Sequence, residues 1–288
     1  MSLNAHLRPL DVVLRVHQVF VSSARLRGLL ELRASLSRHG LRVPEPWRWN
    51  GQSMLRCGAR WAELEEFIPH HRLAPTHDSY LWLFDAMGLL HRGLSRVKVA
   101  VPQPCVATYA PPSSLRRWLH VTELAVAKSS EARELVATMR RMARLLERHW
   151  VPAGDLVVHA IHGDVRLSNV VQTPTRTPVY LDFGFSAIRP RVYDVAYALV
   201  FMYWAMRSGE TPDEFDWSLV ASLLAAYQEA GGTRFTAQER SALLPMMASV
   251  PLYAAALDGY TESPIGKLLG RRSFVELSAW LLAHPDVV

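Results

Sequence analysis

Residues 161–184 read IHGDVRLSNVVQTPTRTPVYLDFG. Three side chains with hard oxygen donors stand in that stretch: Asp164, Asn169 and Asp182. The first follows His162-Gly163, the second closes a short polar loop, and the third ends the apolar run Val179-Tyr180-Leu181. This arrangement suits phosphoryl transfer. One carboxylate faces an acceptor hydroxyl, while an amide and a second carboxylate hold the magnesium that bridges nucleotide phosphates. A tight HGDVRLSN loop aims Asp164 and Asn169 into one cavity, and the following strand brings Asp182 to the other side of the metal.

HGD or DFG alone is a weak signal, whereas the two in order within one short stretch are specific. His162 reads as a hydrogen-bonder that shapes the loop rather than a ligand. His159, His162 and Asp164 also spell a metallohydrolase-like H-x-x-H-x-D, although the later His and Asp partners of such sites are not evident. Two readings stand beside phosphoryl transfer: a nucleotide-binding protein without activity, and a metal-dependent phosphohydrolase.

Composition narrows the field. The 288 residues are 50% hydrophobic and 20% charged, enough for one large globular domain or two smaller ones. The opening MSLNAHLRPLDVV lacks the apolar core of a signal peptide. Cys57 and Cys105 form neither a disulfide framework nor a metal spacing, so a reducing cytoplasm is the expected compartment. Of the two longest apolar runs, 195–206 is too short for a bilayer and 242–257 is interrupted by Pro245 and Pro251. Both are expected as buried helices, with no membrane partner. Residues 1–150 hold 22 of the 32 basic side chains and 12 of the 26 acidic ones. The bases are scattered, with no basic run and no interleaved aromatic platform. This sets nucleic acid aside and leaves room for a small phosphate-bearing ligand in the first half.

Along the chain, residues 11–17 read as a strand and 22–40 as a helix ending at Gly40. Two short strands are expected around Gly58, up to Pro69. Residues 76–96 and 129–149 show helical spacing, the latter with acids in its first turn and bases in its last, as the helix dipole prefers. Strands follow at LVVHAIH and PVYLDF. Thr211-Pro-Asp-Glu214 and Thr236-Ala-Gln-Glu239 both read as capping boxes that start helices, with Gly231-Gly232 between them.

On His162-Gly-Asp164-Val-Arg-Leu-Ser-Asn169 and Leu181-Asp182-Phe183-Gly184, the sequence resembles the aminoglycoside phosphotransferase and choline kinase family, small-molecule kinases similar in fold to protein kinases. DAMGLLHRGL (85–94) and RPRVYDVAYAL (189–199) extend the likeness. The resemblance implies an α+β, two-lobed protein-kinase-like fold, with a reduced N-terminal nucleotide-binding lobe at 1–67 and a mainly helical lobe at 68–288. It implies Asp164 as catalytic base, Asn169 and Asp182 as ligands of Mg2+, and Asp194 as a brace for the loop. Arg15 takes the place of the strand cation and Glu31 that of its helix partner, while EEFIPH, with Glu66, Phe67 and Ile68, looks like the hinge that meets adenine. The implied reaction uses ATP or GTP to phosphorylate a small-molecule hydroxyl. Two departures stand out. The cation is arginine, which offers a planar fork instead of a compact ammonium. About fourteen residues precede it, too few at roughly 3.3 Å each for a strand pair and a Gly-rich turn, so the phosphate-covering hairpin is expected to be missing or shortened.

Overall fold

A computed structural model describes residues 3–287 of the chain. Val12, Val13, Leu14 and Val16 make a β-rich segment that forms β2 (Val12–Val16), preceded by β1 (Leu3–Leu7). The two pair antiparallel, with Leu3 opposite Val16 and Leu7 opposite Val12. They are joined through a 3-10 turn at Arg8–Leu10 and a left-handed Asp11. The strand β1 was not expected from the sequence. It puts one strand ahead of Arg15, and the turn between them contains no glycine.

Helix α1 (Ser23–Arg38) starts at Ser22, whose hydroxyl accepts from the Arg25 N–H, and ends before Gly40 at φ 79°. Then come β3 (Pro46–Trp47), β4 (Leu55–Cys57) and β5 (Arg60–Glu66). The sheet order is β1-β2-β5-β3, with β4 also on β5 and every pairing antiparallel. Strand β3 lies in the Pro-containing stretch 43–47, which carries no strand signal in the sequence. Two residues suffice because Glu45 and Pro46 need only meet the end of β5.

The rest of the chain is mainly helical. Helices α2 (His77–Leu94), α3 (Pro112–Ala125) and α4 (Ser130–His149) lead to β6 (Val158–Ile161), β7 (Val170–Gln172), β8 (Pro178–Tyr180) and β9 (Ala187–Pro190). Strand β6 pairs with β9 and β7 with β8, making two small hairpin-like ladders that carry the 161–184 segment between them. Helix α3 and strands β7 and β9 were not apparent in the sequence. The two strands are only three and four residues long, and α3 begins within a Pro-rich stretch at Pro111-Pro112.

Helix α5 (Val192–Met206) is buried at every position from Val192 to Val200, which explains its unbroken apolar composition. Helix α6 (Leu219–Gly231) follows, then α7 (Ala237–Ala256), α8 (Pro264–Leu269) and α9 (Arg272–Ala283). Thr236 and Glu239 form the capping box of α7 as the sequence suggests. The other expected box starts no helix. Glu214 accepts from both the N–H and the hydroxyl of Thr211, and Trp217 Nε1 donates to the Pro212 carbonyl, so the segment closes as a turn and α6 begins only at Leu219. Helix α7 runs straight through Pro245 and Pro251. The segment Ala237–Tyr260 is long and apolar enough to cross a bilayer by length and composition, but 72% of its apolar window is buried inside the fold. Helices α2 and α6 approach closely at Gly88, where a Cβ would lie 2.4 Å from the Tyr227 carbonyl oxygen.

Candidate active site

The HGD loop is built around one buried carboxylate from α5. Asp194, fully buried in the first turn of that helix, accepts the backbone N–H of His162 and of Gly163, each at 2.8 Å, through its two oxygens. Gly163 sits at φ 82°, and a Cβ there would come 2.6 Å from the Phe185 carbonyl oxygen, so only glycine fits. Thr108 Oγ1 donates to the Gly163 carbonyl and Ser186 Oγ to that of His162. The loop is thereby fixed on both faces of its peptide planes.

Asp164 emerges from this frame with its carboxylate in a polar pocket. Oδ1 accepts from the Tyr197 hydroxyl at 2.7 Å, and Oδ2 from Asn169 Nδ2 at 2.7 Å and from Arg166 at 3.0 Å. Burial pushes its pKa above the usual carboxylate range, against the opposing pull of Arg166, Tyr197, His162 and Asn169. Tyr197 is a participant the sequence did not announce. It lies one helical turn after Asp194 in an apolar run where tyrosine reads as core, and only the packing of α5 beneath the loop reveals its role.

The strand that carries Asp182 is tied to the same loop. Leu181 is held from two sides, its carbonyl oxygen 2.7 Å from His162 Nε2 and its N–H donating to the Asn169 carbonyl at 2.7 Å. His162 is therefore a shaping residue with its ring fully buried. His159, half-buried, turns its Nδ1 to the Ala160 carbonyl, and burial lowers its pKa to about 4. The H-x-x-H-x-D spacing does not converge on a metal. Among the described residues no three His, Cys, Asp or Glu side chains form a metal-holding group. Asp182 itself adopts a left-handed conformation, φ 55° and ψ 64°, which aims its carboxylate away from the strand. Its Oδ1 accepts from Arg15 at 2.7 Å and from the Gly184 N–H at 3.4 Å. Burial opposes ionisation of Asp182, but the charge and hydrogen bond of Arg15 overcome it and hold the carboxyl below the usual range.

Arg15 stands on β2 where the sequence placed the strand cation, but it reaches Asp182, a contact the sequence did not anticipate, and its expected helix partner does not meet it. Glu31 is exposed on the outer face of α1 and makes no pair with Arg15. The inner face of α1 carries Leu29, Leu32 and Leu36, together with two buried cations, Arg25 and Arg33. The acids come instead from β5, whose Glu63 and Glu65 point to one side by the two-residue period of a strand. Glu65 takes Arg15 at 3.4 Å and Arg33 at 2.5 Å, while Glu63 takes Arg33 and, at 3.0 Å, His17. Burial opposes the charge on Glu63, yet Arg33 and His17 bring its pKa down to about 2. Arg25 reaches the turn after Asp182 as well, donating to the Gly184 carbonyl at 2.9 Å and to that of Pro102. Two buried acids on one strand face are a legible demand for cations, but sequence alone does not say which arginines answer it.

At the expected hinge, the Glu66 side chain leaves the cleft to pair with Arg42. The Phe67 N–H donates to the Asp11 carbonyl at 3.2 Å, extending the β2–β5 ladder, and its ring stacks on His6 with centroids 3.8 Å apart. Ile68 is buried against Val171, Val179 and Leu181, which makes it the seam between sheet and catalytic segment.

A family model described as the phosphotransferase enzyme family matches residues 4–244. The chain belongs to that family. Among solved structures, a microcompartment-associated aminopropanol kinase superposes with a TM-score of 0.73 at 19% identity, covering 96% of this chain and 87% of that one. An amicoumacin kinase in complex with AMP-PNP, Ca2+ and Ami gives 0.69 at 13% identity, with coverage of 92% and 81%. The choline kinase LicA from Streptococcus pneumoniae gives 0.60 at 13%, with 94% and 85%. These likenesses establish the two-lobed kinase-like fold of the phosphotransferase. No curated protein matches the chain.

The donors of this phosphotransferase fit a magnesium ion that arrives with its nucleotide. Asn169 Oδ1 accepts only from Ser168 Oγ, at 3.3 Å, and Asp182 Oδ2 has no partner among the described residues. One amide oxygen and one carboxylate oxygen suit an ion that keeps several waters and takes its remaining ligands from phosphate. The buried ion-pair network gives a discriminating test of the N-terminal lobe. Glu31→Lys is expected to leave stability within about 0.5 kcal/mol of the parent, as a surface change does. Glu65→Ala removes the carboxylate shared by Arg15 and Arg33, leaving them only Asp182 and Glu63, and should cost roughly 1.5–3 kcal/mol. Urea unfolding of the two variants measures both, and a larger loss for Glu31→Lys contradicts the assignment.

Proposed function

We propose that this phosphotransferase moves the γ-phosphoryl group of ATP or GTP to a hydroxyl of a small molecule, with Mg2+. The observation that supports this best is the shared frame of base and metal donors. Asp194 fixes the HGD loop, and Leu181 is pinned between His162 and Asn169, so Asp164, Asn169 and Asp182 are set relative to one another by backbone hydrogen bonds. A protein that only bound nucleotide would need no such hold on Asp164.

Magnesium bound here would supply neutralisation of charge on the phosphate oxygens. Asn169 and Asp182 would hold it. Asp164 orients the acceptor hydroxyl by accepting its hydrogen bond and takes the proton late in transfer. Tyr197 and Asn169 keep the two carboxylate oxygens from rotating, so that the acceptor meets a prepared group instead of a mobile one. Arg15 holds Asp182 ionised and links it to the sheet.

The direct test follows labelled γ-phosphate from ATP and from GTP into hydroxyl compounds, with release of free phosphate measured in parallel. Transfer supports the proposal, whereas phosphate release alone points to a hydrolase. Metal dependence provides a second prediction. In the parent protein, nucleotide affinity should be much weaker with a chelator than with Mg2+, and Asp182→Ala should abolish that difference. Equal affinity of the parent protein with and without magnesium, measured by calorimetry, would remove Asn169 and Asp182 from the metal site.

A further inference from the structure

The aromatic side chains leading away from Asp164 form a continuous line. Tyr197, whose hydroxyl holds the base, lies 4.5 Å from Phe201 between ring centroids. Phe201 meets Trp204 edge-on at 5.3 Å, and Trp204 stacks on Phe274 of α9 at 4.1 Å. Tyr197 is buried, while Phe201, Trp204 and Phe274 are only partly covered, so the line leads from the base towards the surface. Flat, half-covered rings of this kind suit a flat apolar body. The Trp204 Nε1–H is buried and has no partner among the described residues.

Charge along this line is weighted towards cations. The Arg166 guanidinium lies 5.5 Å from the centre of the Phe201 ring, and that of Arg271 lies 5.1 Å from the centre of Phe274. Tyr253 of α7 stands among the charged groups. Burial and then Asp164 raise the pKa of its phenol, while Arg271 and Arg166 pull it back. Asp258, almost fully buried, receives Nε of Arg271 at 2.9 and 3.2 Å and also feels the charge of Lys267. Both carboxylates here are already engaged, Asp164 by Arg166 and Asp258 by Arg271. An ammonium would have to compete with Arg166 for Asp164 or with Arg271 for Asp258. An oxyanion does find a partner. Because Nε of Arg271 is spent on Asp258, its outer edge of two parallel N–H groups has no partner among the described residues. That edge matches the two oxygens of a carboxylate.

We propose that the acceptor is a hydroxyl compound bearing a flat apolar body and a carboxylate. Its body stacks along Phe201, Trp204 and Phe274, its carboxylate pairs with the open edge of Arg271, and its hydroxyl reaches Asp164. This rests on the phosphotransferase reading above and narrows it to one acceptor class.

Three matched probes test it: 3-phenyllactate, 3-phenyl-1,2-propanediol and 2-amino-3-phenylpropan-1-ol, which share a ring and a hydroxyl and differ in charge. Affinity is measured by calorimetry with Mg2+ and AMP-PNP present, and transfer from ATP by phosphorus NMR. Phenyllactate is expected to exceed the amino alcohol by roughly tenfold or more in both affinity and kcat/KM. Arg271→Gln should bring phenyllactate down to the level of the diol, while Arg271→Lys, which keeps the charge, should retain part of the preference. Thermal melting of each variant confirms that it is folded. The proposal is overturned if the amino alcohol is equal or better, if none of the three probes binds, or if Arg271→Gln leaves the ratio unchanged. The two readings fail separately. Efficient transfer to the amino alcohol keeps the kinase and removes the carboxylate subsite, whereas binding of phenyllactate without any consumption of ATP keeps the subsite and removes the kinase.

Discussion

Asp164→Asn is expected to bind Mg-nucleotide and melt close to the parent protein, yet to transfer phosphate at least roughly a hundredfold more slowly. The substitution keeps the size of the side chain and leaves one oxygen, which accepts either from Tyr197, as Oδ1 does, or from Arg166 and Asn169, as Oδ2 does. It removes the charge and the basicity. It also turns one former acceptor into an N–H2 facing donors, so a modest local rearrangement accompanies the loss. Single-turnover transfer to an identified acceptor, with nucleotide affinity measured on the same preparation, separates chemistry from binding. Transfer at the parental rate would exclude Asp164 as the base and with it the mechanism given above.

The second large effect is expected at Asp194, which touches no substrate. Its carboxylate satisfies two buried backbone N–H groups and lies 3.1 Å from His91 Nε2, whose other ring nitrogen meets the Tyr227 hydroxyl at 2.8 Å. Asp194→Ala removes the acceptor of those buried groups. Each orphaned donor costs about 1–3 kcal/mol, so the total is roughly 3–5 kcal/mol. The melting temperature should fall by on the order of 10 °C, and transfer should fall with it, because the HGD loop loses its anchor. Asp194→Asn, which keeps one acceptor oxygen, should lose less of both. If the alanine variant melts like the parent and transfers normally, the loop is held by Thr108 and Ser186 instead.

The local chemistry of the active segment is legible without a structure. Gly163 must be glycine because the chain turns at positive φ against Phe185, and the HGD-x4-N and DFG spacing places the donors within one loop and one strand end. Helices α1, α2 and α4 announce themselves by apolar spacing and terminal residues, because each buries one face and leaves the other wet. The same logic fails for β7 and β9, which are too short to show a period, and for α3, which begins within a Pro-rich stretch. It fails also for the box at Thr211, where Glu214 reaches back to the Thr211 N–H but the Thr211 hydroxyl donates to Glu214 instead of accepting its N–H, so the segment closes as a turn.

Charge pairing marks the deeper limit. Arg15 is singular in its strand and could be singled out by position, but the acid that answers it could not. A helix offers Glu31 and a strand offers Glu65, and the choice depends on which face α1 turns towards the sheet. That face is set by Leu29, Leu32 and Leu36 packing into the core, which carries Arg33 inwards and Glu31 out to solvent. Tyr197 is the parallel case, since one tyrosine among many becomes the donor to Asp164 only when α5 lies beneath the loop. The sequence by itself determined which groups are able to do the chemistry, because that follows from residue type and short spacing. The tertiary structure decided which groups hold them, because a buried charge or hydroxyl takes whatever partner the packing of apolar faces brings within about 3 Å.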